Sequence, residues 1–187
     1  MGKQKNTLLT PDIKEYIDIS IKKTVEEVKE AVKEAVKPLQ KPQNAKTAFK
    51  NTEARLYALP VLKIKIKDDI EKIEQLQIHG TPERSKSITR FSKNSVRLDP
   101  EEALEAIIKE KVADIATDQH EVDILEKALD FIRDDPYYET VSGRYFDGLD
   151  NEEIGEKIGC DGTTVWRNRQ RLIKRLAVRL YGTNAID

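Results

Sequence analysis

Residues 149–176 read LDNEEIGEKIGCDGTTVWRNRQRLIKRL, and few backbones satisfy that string. Asp150 followed by Glu153 is a capping box, which opens a short helix bearing Ile154 and Ile158. Gly159 ends that helix. Asp161 is placed to satisfy the free N–H groups of a second helix, expected to run to about Tyr181 and stop at Gly182. Two helices joined by three or four residues must approach closely, and the small Gly155 permits it. Ile154 and Ile158 then pack on Val165 and Leu172. The spacing predicts a helix-turn-helix over 150–181.

The rest of the chain also reads as helix, so the expected fold class is all-α. Ile13, Ile17, Ile21, Val25, Val28, Val32 and Ala35 recur at four- and three-residue spacing, predicting a helix over 12–37. Its Val stripe is thin, so it needs a covering helix, from its own chain or a second copy. Pro38 and Pro42 stop it, and 38–50 reads as a polar linker. Asn51 or Thr52 is the expected N-cap of a helix over 53–77, which starts or kinks at Pro60. This segment carries a near-heptad series from Leu56 to Leu76 and stops at His79-Gly80-Thr81-Pro82. Asp99-Pro100-Glu101-Glu102, Thr117 and Asp135-Pro136 each read as the start of a further helix. Three domains follow: 1–50, helix plus Pro-containing linker; 51–98, helical with a basic Ser/Arg loop; and 99–187, a helical domain ending in the helix-turn-helix, the long N-terminal helices being a possible coiled coil.

Charge is divided unevenly along the chain. The formal net charge is −1, yet residues 1–98 hold 21 basic against 13 acidic residues, 99–161 hold 6 against 20, and 162–187 hold 6 against 1. Two basic blocks flanking an acidic one suggest an oriented molecule, whose acidic surface would face away from any polyanion or toward a protein partner. The single Cys and two isolated His residues offer no disulfide and no metal spacing. Cys160 is expected to be a small buried hydrophobe, and His120 an exposed residue. No nucleophile–base pair or phosphate-cradling Gly loop is visible, so neither enzyme nor cofactor is expected. Without an 18-residue apolar run or a signal-like start, the chain reads as cytoplasmic, with no membrane partner.

The second helix of the pair has two faces. Val165, Leu172, Leu176 and Leu180 point inward, with Ile173 and Ala177 beside them. Gly162, Thr163, Trp166, Arg167 and Gln170 are the candidates for reading base edges in a major groove. Arg167 suits guanine, Gln170 adenine, and Thr163 a thymine methyl or a base edge. Arg169, Arg171, Lys174 and Arg175 are the candidates for phosphate contact. No acid falls between 162 and 186. The competing reading of this helix is a merely solvated basic face, and that of Trp166 a core residue. Tyr137, Tyr138 and Tyr145 read as cement for the first helix of the pair. The Ser-rich stretch 83–98 carries Arg84, Lys86, Arg90, Lys93 and Arg97. It is either a DNA arm, on the backbone or in a minor groove, or an exposed loop whose cations meet the acidic block.

The block PYYETVSGRYFDGLDNEEIGEKIGCDGTTVWRNRQRLIKRLAVRLYG at 136–182 resembles region 4 of bacterial sigma factors. It is more similar to phage late-gene transcriptional regulators of the ArpU/RinA type. NTEARLYALPVLKIKI at 51–66 and SKSITRFSKNSVRLDPEEALEAI at 85–107 fit the same family, so the likeness covers about 51–182. It implies a phage or prophage activator of packaging or lysis genes in a bacterial host. By position it places Gly162, Thr163, Trp166 and Arg167 at the base-facing sites. Gly162 and Trp166 depart from the long or cationic side chains usual there. Other readings are a sigma-like factor bound to RNA polymerase, the small subunit of a packaging terminase, and a helical interaction protein without DNA. Homodimerisation through 12–37 or 53–77 is expected from the thin apolar stripes.

Overall fold

The computed structural model describes residues 19, 21–29, 42–80 and 100–186. The protein is all-helical, with no strand among the described residues. Helix α1 covers residues 21–29. It is followed by α2 (Ala45–His79), α3 (Pro100–Asp130), α4 (Glu139–Tyr145), α5 (Asn151–Ile158), α6 (Gly162–Tyr181) and a 3₁₀ turn, Gly182–Ala185. No helix among the described residues is long and apolar enough to cross a membrane. Two compact units form. One takes in the described residues of Met1–Ala35 and Ile66–Thr117, the other those of Val36–Lys65 and Asp118–Asp187. The units are discontinuous in sequence because α2 and α3 each contribute one stretch to each.

In the first unit, α1 buries Ile21 and Val25, α2 buries Ile66, Ile73 and Leu76, and α3 buries Val112, Ile115 and Ala116. Each set recurs at steps of three, four or seven residues, which keep to one helical face. Lys111 Nζ meets Asp69 Oδ1 at 2.7 Å between α2 and α3. Of the expected 12–37 helix, only α1 and Ile19 lie within the described residues.

Helix α2 begins earlier than the expected start at Asn51 or Thr52. Asn44 Oδ1 accepts the Thr47 N–H at 2.9 Å and the Thr47 hydroxyl at 3.0 Å, capping a helix within the stretch read as linker. Ala48 is fully buried and extends the apolar face of Leu56 and Leu59. Thr52 is therefore internal and fully buried, its hydroxyl donating to the Ala48 carbonyl at 2.9 Å. Pro60 neither starts nor stops the helix. Proline removes a single N–H, so the Leu56 carbonyl alone loses its donor. The ring's cost of about 3 kcal/mol is offset by burial of Leu56 and Leu59 just before it.

Thr117 does not cap a new helix. Helix α3 runs unbroken for 31 residues, and the Thr117 hydroxyl is satisfied within it by the Ala113 carbonyl at 2.9 Å. No Gly or Pro interrupts 101–130, and the apolar face continues through Val122, Leu125 and Leu129. His120 is accordingly mid-helix and half-buried rather than exposed. Asp135-Pro136 does not open a helix either. Residues 131–138 form turns, with Asp135 Oδ1 accepting the Tyr137 N–H at 3.1 Å, and α4 starts at Glu139.

The second unit packs the first part of α2 and the last part of α3 with α4, α5 and α6. Arg55 forks onto Glu121, Nε–Oε1 at 2.6 Å and Nη2–Oε2 at 2.9 Å, and donates to the Tyr181 hydroxyl at 3.2 Å. One guanidinium thus ties α2, α3 and α6 together. Tyr145 is buried and donates to Glu53 Oε1 at 2.7 Å. Burial and the nearby Glu53 carboxylate push its phenol pKa up, so it stays a donor.

Candidate nucleic-acid interface

Local chemistry fixes the α5–α6 pair. Asp150 accepts the Glu153 N–H at 2.9 Å and Glu153 Oε2 accepts the Asp150 N–H at 2.8 Å, the capping box expected from sequence. Gly159 adopts φ 71°, ψ 38°, the left-handed conformation that lets the chain turn immediately. Asp161 then caps α6, accepting the Thr164 N–H at 2.9 Å and the Thr164 hydroxyl at 2.6 Å. Those bonds hold the Asp161 carboxyl below its ordinary pKa. A Cβ on Gly155 would lie 2.4 Å from the Cys160 carbonyl oxygen. The turn therefore passes directly over Gly155, which is why this position is glycine. Ile154, Val165 and Leu172 are fully buried, whereas Ile158, Cys160 and Leu180 are only partly so. Cys160 is thus not the enclosed hydrophobe expected, because it sits on the turn itself.

The outward side of α6 gathers most of the predicted site residues. Trp166, Arg167, Gln170, Arg171, Lys174 and Arg175 line one shallow groove along it. Trp166 is 49 % exposed, which excludes the core reading for this residue. Thr163, Arg167 and Lys174 are exposed and Gln170 half-buried. Arg167 and Lys174 make no ion pair among the described residues. Gly162 is turned elsewhere: a Cβ there would meet Glu152 Oε1 at 3.3 Å and Asn151 Cβ at 3.5 Å. It faces the start of α5 and is not in the groove.

Arg169 requires a correction. Expected at phosphate, it is 7 % exposed, and its Nη1 donates to Asn151 Oδ1 at 2.7 Å. Val165, Arg169, Leu172 and Leu176 follow one another at four-, three- and four-residue steps, the inward stripe of the helix. Arg169 lies in the middle of that stripe and pins α6 to the first residue of α5. The spacing alone carried this signal.

Arg171 and Arg175 are outward but not unengaged. Arg171 donates to both oxygens of Asp135, at 2.9 and 2.8 Å, and through Nε to Asn168 Oδ1 at 3.2 Å. Arg175 donates to Asp135 Oδ2 at 3.2 Å. Its guanidinium carbon also lies 5.1 Å from the centre of the Phe131 ring, and that of Arg179 lies 5.9 Å from it. The Asp135 side chain is 10 % exposed while those of Arg171 and Arg175 are 44 % and 42 % exposed. The arginines screen the acid from water and keep donors outward, leaving one net positive charge on the three groups. Hydrogen bonds from Arg171 hold the Asp135 carboxyl below its ordinary range, and the same contact raises the Arg171 pKa. Asp135 and Phe131 are site residues that sequence reading missed, because both precede the pair and reach α6 only through the tertiary fold.

The candidate arm residues Arg84, Lys86, Arg90, Lys93 and Arg97 lie outside the described residues. No family model, curated protein or solved structure matches the chain.

Proposed function

We propose that the protein binds double-stranded DNA with α6 in the major groove and regulates transcription. The observation that carries this reading is the outward groove of α6. Exposed Thr163, Trp166 and Arg167 occupy the N-terminal half of the helix, and Arg171, Lys174 and Arg175 follow along the same side. A short helix and a three-residue turn present this surface, which is the order in which a recognition helix meets base edges first and phosphates next. Arg167 and Gln170 supply the paired donors and acceptors that discriminate bases. The sequence resemblance supports the narrower reading, a phage or prophage activator of late genes such as those for packaging or lysis.

The test is binding of duplex DNA across a salt series. The wild-type protein is expected to lose affinity steeply with salt. Lys174→Ala should weaken binding to all sequences and reduce the slope by about 0.9. A protein that does not retain duplex DNA even at low salt refutes the reading and favours a helical interaction protein.

A homodimer is proposed alongside it. Tyr57, Val61 and Ile64 on α2 are 49 %, 65 % and 59 % exposed. Their four- and three-residue spacing is that of a paired helix seam. Analytical ultracentrifugation of Val61→Asp/Ile64→Asp should show a monomer where the wild-type chain shows a dimer. A wild-type monomer contradicts it.

A further inference from the structure

A second groove adjoins the α6 surface. It is half-open, has a volume of about 590 Å³, and shares Gln170 and Lys174 with the outward groove of α6. Its other wall is the beginning of α2, which contributes Lys46 and Lys50. These lysines are four residues apart, hence on one helical face, and both are exposed. Neither forms an ion pair among the described residues. The floor is apolar, formed mainly by Phe49, Ala177 and Val178. One acid, Glu53, also lines the groove, and its Oε1 is held by the Tyr145 hydroxyl at 2.7 Å.

Three cations around an apolar floor complement an anionic chain with an apolar side. We propose that this groove takes one strand of the same duplex, with Lys46, Lys50 and Lys174 on successive phosphates and the floor against deoxyribose. The inference rests on the DNA reading of α6 and extends it. Lys174 is the shared residue, so the backbone that leaves the α6 surface passes directly to α2. The contact is to sugar and phosphate alone and is therefore independent of base sequence. It gives the beginning of α2 a role that its polar sequence does not announce.

The experiment is fluorescence anisotropy of a labelled duplex with the full chain across a NaCl series. It compares the wild-type protein, Lys46→Ala/Lys50→Ala, and Lys127→Ala as a control at an exposed lysine on α3. The double variant should lower the slope of log affinity against log salt by about 1.8, because about 0.9 counterion is released per phosphate neutralised. At about 0.1 M salt that term alone amounts to a loss of up to about sixtyfold. Lys127→Ala should keep the wild-type slope. If the alanine pair loses helix by circular dichroism, Lys46→Gln/Lys50→Gln replaces it and carries the same expectation. A wild-type slope in a folded double variant overturns this inference while leaving the α6 reading intact. Absence of DNA binding by the wild-type chain overturns both. An equal fall in slope for Lys127→Ala shows a general charge effect and overturns the assignment to this groove.

Discussion

Replacing Arg169 by alanine separates a structural arginine from a DNA-contacting one. Its guanidinium is buried and donates to Asn151 at 2.7 Å. Loss of a hydrogen bond from a charged group costs about 1.5–3 kcal/mol. The substitution also removes two packed methylenes, at about 0.8 kcal/mol each. The expected destabilisation is about 3–5 kcal/mol, large against the 5–15 kcal/mol typical of a whole domain. Urea unfolding followed by circular dichroism measures it as a fall in midpoint at unchanged m-value. Arg169→Met keeps the aliphatic stem and should recover roughly half of the loss. Under conditions where the variant is folded, its DNA affinity should show the wild-type salt slope, since Arg169 faces Asn151 and not solvent. An unchanged midpoint together with a slope reduced by about 0.9 refutes the placement and restores Arg169 to the phosphate-contacting set.

Two further expectations concern the elements that present α6. Gly155→Ala forces its Cβ against the Cys160 carbonyl, 2.4 Å away, and should destabilise by about 1–3 kcal/mol with loss of DNA binding. An unchanged urea midpoint contradicts the close approach of the turn. Asp135 has a depressed pKa in the folded chain, so its contribution to stability is present above its unfolded value, about 3.9, and is lost as pH falls through the folded value. Asp135→Asn should therefore show a shallower loss of stability below about pH 4. Acid unfolding that superimposes on the wild-type curve contradicts a role for the Arg171–Asp135 contact.

Much of the C-terminal half was legible because its signals are local. The Asp150–Glu153 box, Gly159, the Asp161 cap and the tight space over Gly155 each act within a few residues, and sequence spacing is enough to read them. The inward stripe of α6 is equally local, but at Arg169 the charge of the side chain points outward while its spacing points inward, and spacing wins. The long helices were harder. Asn44 caps α2 inside a stretch whose composition reads as linker, and Pro60 and Thr117 look like boundaries although packing carries the helices through them. Burial of Ala48, Leu56, Leu59 and Val122 outweighs these local preferences, and burial is decided by partners distant in sequence. The Asp135 contact and the Lys46–Lys50–Lys174 groove were invisible for the same reason. Each joins residues separated by dozens of positions.

Selection from a random duplex library, repeated with Arg167→Ala, tests the central claim most directly. The account predicts that the wild-type chain enriches a defined sequence. It also predicts that Arg167→Ala relaxes preference at a guanine within it, with a loss of about 1–3 kcal/mol on the preferred site, and that binding to unrelated duplex falls much less. Failure of the wild-type protein to enrich any sequence, or an identical preferred sequence and affinity for Arg167→Ala, contradicts the assignment of α6 as the reading helix.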